Sequence, residues 1–205
     1  MASEVNLVNF EILSFLSFWL LSSVSSAAAM EDTIVVTSTV FEHHGMVPEK
    51  NSAYSDNISI DVSWANLPSG TQQVALICDD PKVVELGMMP SPFVHWVVYN
   101  IPATVDGLPG GLPSDEEISA VDGLDGVING MNGLRRPGYF GPRPPANGEL
   151  HQYDFRVYAL DADLDLQPGL NKDGLLAAIE GHVIGTGMLM GCLLYTSPSP
   201  RDQRG

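Results

Sequence analysis

Between residues 33 and 190 the apolar positions either alternate with polar ones or run together at strand length. "TIVVTSTVF" (33–41) is β-branched and predicts a strand. In "ISIDVSWANLPSGT", Ile58, Ile60, Val62 and Trp64 fall two apart on one strand face, and a Pro-Ser-Gly turn follows. "QVALICDD" (73–80) and "FVHWVVYNI" (93–101) are nearly continuous apolar runs, the pattern of strands covered on both faces. "HQYDFRVYALD" (151–161) alternates strictly, and "GHVIGTGMLM" (181–190) supplies a last strand. Helical spacing occurs in "NKDGLLAAIE" (171–180), where Leu170, Leu175, Leu176 and Ile179 form an apolar stripe and Asn171 is the N-cap. The stretch 102–149 is rich in Gly, Pro and Asp; a connection so long either carries function or hides missed elements. The pattern predicts a mainly β protein: an antiparallel β-sandwich with one or two short peripheral helices and one elaborate loop.

Composition narrows this to one domain with extensions. The chain has 205 residues, 44% hydrophobic and 17% charged, enough for a single sizeable core. Its net charge is −16, and residues 30–191 alone hold 22 Asp+Glu against 7 Lys+Arg, or −15. Such a surface repels nucleic acid and anionic membranes, so neither is an expected partner. Cys78 and Cys192 are too few for a disulfide scaffold, and no CxxC or His/Cys ligand spacing points to a metal or other cofactor.

The two ends read as foreign to the domain at 30–191. Residues 1–29 carry an apolar run, "ILSFLSFWLLSSV", before Ala27-Ala28-Ala29, a small-residue cleavage pattern, yet the first basic residue is Lys50. Either this is a signal peptide, giving a periplasmic or secreted protein, or translation starts at Met30 and the product is cytoplasmic. Residues 192–205, "CLLYTSPSPRDQRG", lack periodicity and read as a disordered, artefactual tail.

Four polar side chains fall where burial is expected. Asp80 closes one apolar strand, His95 interrupts another, and His151 and Tyr153 share a face of the strand after the proline loop "GPRPP" (141–145). A histidine inside an apolar strand is costly unless its ring nitrogens find partners or face a cavity. Arg135, Arg136 and Arg143 are three of the seven basic residues in 30–191 and lie within nine positions. They make either a local anion-binding patch or a set of surface ion pairs.

The wording of these segments is specific. "NIS" (57–59), "DDP" (79–81), "HWVVYNIPA" (95–103), "GMN" (130–132), "GYFGPRPP" (138–145), "ELHQYDFRVYALD" (149–161) and "GHVIGTGMLMG" (181–191) resemble, in this order, the phosphatidylethanolamine-binding protein family in its bacterial and archaeal Raf kinase inhibitor-like branch. The resemblance implies a β-sandwich with a small pocket for phosphate, phosphorylated compounds or phospholipid headgroups. It assigns that pocket to Asp80, His95, Gly141, Pro144, Pro145, His151 and Tyr153, with Arg143 as a further candidate contact. The expected roles are donation to anion oxygens by the histidines and the tyrosine, with Asp80 orienting an imidazole or receiving an ammonium group. Two departures bear on the pocket rim and a turn: the family's Asp-Pro-Asp-Ala-Pro reads Asp80-Pro81-Lys82-Val83-Val84 here, and Ile60 stands where a proline is usual. The expected function is non-catalytic ligand binding. The alternatives are an inhibitor of a kinase or protease acting through the 102–149 loop, or a hydrolase with His95 or His151 as base. No nucleophile is evident for the latter.

Overall fold

The computed structural model describes residues 33–119 and 121–196; the leader at 1–29 and the tail from 197 onward lie outside the described residues. The elements run β1 (Val35–Thr37), β2 (Gly45–Met46), β3 (Val62–Ala65), β4 (Gln73–Asp80), α1 (Lys82–Glu85), β5 (Phe93–Pro102), β6 (Gly107–Leu108), β7 (Ile128–Asn129), β8 (Leu150–Leu160), α2 (Lys172–Ala178) and β9 (Val183–Leu194). They form a three-stranded sheet ordered β1-β3-β6 and a six-stranded sheet ordered β2-β9-β8-β4-β5-β7. Among these pairings only the short β2 runs parallel to its neighbour, β9. The protein is mainly β with two short helices, as its pattern predicts.

Val36, Val62, Trp64 and Leu108 of the small sheet share one apolar cluster with Leu76, Trp96, Phe155 and Val157 of the large sheet. Two sheets packed face to face in this way bury one side of each. The large sheet is covered on its other side too, which explains its continuous apolar runs. In β4, Val74, Leu76 and Cys78 face the inter-sheet core, while Ala75 and Ile77 join Val97, Tyr99 and Leu175 in a second cluster beneath α2. Each such buried side chain contributes about 1.5–3 kcal/mol relative to exposure. The N-cap of α2 forms as predicted: Asn171 Oδ1 accepts from the Gly174 N–H at 2.9 Å.

Several boundaries differ from the sequence reading, each for a local reason. β1 is shorter than 33–41 because Asp61 captures the chain beyond it, its Oδ2 accepting from the Thr39 N–H at 2.7 Å. Ile58 is exposed and β3 begins only at Val62, since Asn57 bends the chain with φ +56°. The 102–149 stretch hides β6 and β7 and is pinned from inside. The buried Asn129 accepts from the Trp96 indole N–H at 3.1 Å and donates to the Pro113 and Asp115 carbonyls at 3.0 and 2.7 Å. The boundary drawn at residue 191 falls too early. β9 runs to Leu194, with Cys192 and Leu193 paired to Gln152 and His151, because Cys-Leu-Leu is still apolar enough to be covered.

Candidate functional site

β4, β5 and β8 lie side by side in the large sheet, and their ends bring Asp80, His95 and His151 to one cavity of about 250 Å³. Asp80 and His151 are buried at 3% and 0% exposure, too deep for either to stay unpaired at low cost. They pair: His151 Nδ1 donates to Asp80 Oδ2 at 2.6 Å. Asp80 Oδ1 accepts from the Lys82 N–H at 2.9 Å, so the carboxylate also starts the helical turn α1. Burial pushes the Asp80 carboxyl upward, against the downward pull of the His151 hydrogen bond and of the main-chain N–H groups.

His95 is held differently. Its Nδ1 lies 2.6 Å from the Phe140 carbonyl, which can only accept, so that nitrogen carries the proton. The Phe140 N–H returns to the His95 carbonyl at 2.9 Å. Phe93, Phe140 and Tyr153 surround the imidazole, with ring centroids at 4.9, 5.8 and 5.1 Å. Burial lowers its pKa to about 4, outweighing the Phe140 and Gly141 carbonyls that favour the charged form. His95 is therefore neutral at physiological pH.

These contacts narrow the expectation that both histidines donate to an anion, since neither Nδ1 is available to one. In the neutral ring each spends its one N–H inside the protein, and the remaining nitrogen is an acceptor. His151 Nε2 and the Tyr153 hydroxyl are buried and find no hydrogen-bond partner among the described residues. The Tyr153 phenol is held well above its usual pKa, chiefly by burial, and remains a potential donor.

The proline loop contributes in two layers. Arg143 and Pro145 line the cavity, whereas Gly141, Pro144 and Tyr153 are not in its lining. Gly141 has no room for a side chain: a Cβ there would come within 2.3 Å of the Asn51 carbonyl. Its N–H donates to Asn57 Oδ1 at 2.7 Å, which gives the Asn of "NIS" a positioning role that the sequence reading missed. The Pro144 carbonyl accepts from the Tyr54 hydroxyl at 2.5 Å, and the Arg143 guanidinium sits 5.6 Å from the centre of the same Tyr54 ring. The other wall is apolar and was also missed: Val83, Met88, Met89, Phe93, Leu134 and Phe140. Only Phe93 had a legible signal, two residues before His95 on the same strand face. Val83 occupies part of the departure from the family's usual motif, so a buried valine stands in that wall.

The three clustered arginines line three different cavities. Arg143 belongs to this cavity, Arg136 to a shallow cavity of about 360 Å³, and Arg135 to a groove of about 650 Å³ beside α2. None of them makes an ion pair with a carboxylate among the described residues, against the reading as surface ion pairs. Nor does any group of His, Cys, Asp or Glu among the described residues have the geometry of a metal site.

Comparison with known proteins agrees with this architecture. A profile of the phosphatidylethanolamine-binding protein family matches residues 37–194. A UPF0098 protein of Methanothermobacter thermautotrophicus is 40% identical over 152 residues, covering 74% of this chain and 92% of the relative. A UPF0098 protein of Chlamydia muridarum is 35% identical over 156 residues, covering 76% and 95%. Among solved structures, a homologue from Chlamydia trachomatis described as a phosphatidylethanolamine-binding protein superposes with TM-score 0.68 at 31% identity, over 80% of this chain and 98% of that one. An Escherichia coli member of the same fold gives TM-score 0.69 at 23% identity, over 81% and 99%.

Proposed function

Because the chain belongs to the phosphatidylethanolamine-binding protein family, we propose that it binds a small oxyanion, phosphate or a phosphorylated headgroup, in the Asp80–His95–His151 cavity without turning it over. One observation carries this reading: buried, unpartnered His151 Nε2 belongs to a side chain lining a cavity that also has a guanidinium. Buried polar atoms are nearly always satisfied in folded proteins, so one left open beside a cavity calls for a ligand atom. The apolar wall shields the polar end from bulk water, which strengthens each electrostatic contact made there. Arg143 supplies the fixed positive charge in the lining, and its guanidinium also rests against the Tyr54 ring.

The residues that line the cavity support binding without turnover. Asp80 and His151 resemble an orienter and a base, but among the described residues no Ser, Thr, Cys or Lys lines the cavity with them. An inhibitory loop draws no support from the 102–149 stretch, whose Ile118, Leu124, Val127 and Tyr139 are buried in the core. Titration with inorganic phosphate and with phosphoethanolamine, followed through the ring signals of His95 and His151 by NMR, tests the proposal. Saturable shifts of both rings are expected; rings that stay still at millimolar ligand would sink it.

A further inference from the structure

The polar end of the cavity holds more acceptors than donors. His151 Nδ1–H is committed to Asp80 and His95 Nδ1 to the Phe140 carbonyl, so in the neutral rings each Nε2 is a lone pair. Both oxygens of Asp80 are occupied, by His151 and by the Lys82 N–H. The Lys82 ammonium itself is turned away to Glu85 at 2.8 Å. Among the described residues Arg143 is the one permanent cation in the lining, and Tyr153 is not part of that lining. A fully deprotonated oxyanion pushed against His151 Nε2 would set lone pair against lone pair.

We propose that this cavity selects an oxyanion that brings its own proton, donating an O–H to His151 Nε2 while its charge faces Arg143. Inorganic phosphate near neutral pH always carries such a proton, whereas sulfate, of the same tetrahedral shape and comparable size, carries none. A site built to accept from a ligand hydroxyl rejects the analogue lacking it, because a buried polar atom is then left unpaired. Asp80 sets this preference through His151: its carboxylate fixes the proton on Nδ1, which leaves Nε2 open.

The inference rests on anion binding at this cavity, and its test separates the two. Affinities for inorganic phosphate and for sulfate are measured by calorimetry on the wild-type chain and on Asp80→Asn. In the variant the amide oxygen still accepts from Lys82 and the amide N–H₂ donates to His151 Nδ1, moving the ring proton to Nε2. Wild type is expected to prefer phosphate by about tenfold or more, the size set by one unpaired buried polar group. In Asp80→Asn the two affinities should converge. Equal affinities in wild type would overturn the selection while leaving anion binding intact, and a preference that persists in the variant would remove His151 as its source. Binding of neither anion to wild type would overturn anion binding itself. If Asp80→Asn does not fold, the ¹⁵N shifts of His151 in phosphate-saturated wild type decide: an Nε2 that carries its own proton contradicts the proposal.

Discussion

The two largest contrasts in this molecule are its two cavities near the start of β5. The groove beside α2 is about 650 Å³ and the cavity at Asp80 about 250 Å³, yet the smaller one has the features of a site. In the groove three of the polar side chains are already engaged, while Arg135 has no carboxylate partner among the described residues. Asn171 caps α2, Asn132 bonds Leu134 and Gly138, and Lys172 is paired with Asp79. In the smaller cavity a histidine with no exposed surface keeps one nitrogen open. Volume measures where solvent fits; a buried nitrogen left open on a side chain that lines a cavity is the stronger sign of a ligand contact.

Mutations can break this contrast. The largest effect on binding is expected for Asp80→Ala, which leaves the His151 N–H unpaired in the interior: phosphate binding abolished, with ~1–3 kcal/mol lost in chemical denaturation. Acid should act comparably on stability, through His95. Its pKa falls from 6.5 unfolded to about 4 folded, so the unfolded chain takes up a proton first as pH drops. The stabilisation from a neutral His95 is complete above pH 6.5 and is lost as pH falls towards 4. That amounts to about 3 kcal/mol, and urea midpoints of wild type against His95→Phe should show the difference narrowing over this window. Asp80, whose carboxyl is raised, works in the opposite direction and partly offsets it.

Gly141→Ala comes next. Its Cβ meets a main-chain oxygen rather than a flexible side chain, so the loop must shift, at ~1–3 kcal/mol. Weakened phosphate affinity should accompany the lowered melting temperature, since Arg143 and Pro145 follow in the same loop. Arg135→Ala on the groove should do least: stability within about 0.5 kcal/mol and phosphate affinity unchanged. An equal loss of affinity in Arg135→Ala and Arg143→Ala would erase the distinction between the cavities.

Much of the fold was legible because the periodic segments are long. β4 and β5 were read almost residue for residue from their apolar runs, and β8 and α2 to within a residue or two. Elements two residues long, such as β6 and β7, have no period to detect and exist only through partners far along the chain. At the site, the burial of Asp80, His95, His151 and Tyr153 followed from their positions inside or at the end of apolar strands. Which ring nitrogen holds the proton was not legible, since it depends on a carbonyl at residue 140 and a carboxylate at residue 80 arriving from other elements. The methionine-lined wall was hidden for the same reason: Met88, Met89 and Leu134 follow no strand or helix repeat and meet only in three dimensions.

The last residues of β9 have a consequence for access to the cavity. Cys192 and Leu193 lie alongside Gln152 and His151, and β4 pairs with β8 only as far as Asp154, so β9 is the one strand neighbour of the start of β8. Strand ends open far more readily than strand centres. Each such fraying event would leave the segment bearing His151 without a strand partner, loosening the ring that lines the cavity while the β4–β8 pairing from Asp154 onward stays intact. Exchange of the His151 and Tyr153 amides should therefore be faster than that of Phe155 and Val157, and a bound anion should slow it. The cavity would then load and empty through the breathing of a strand end, with the terminal residues of β9 setting the rate.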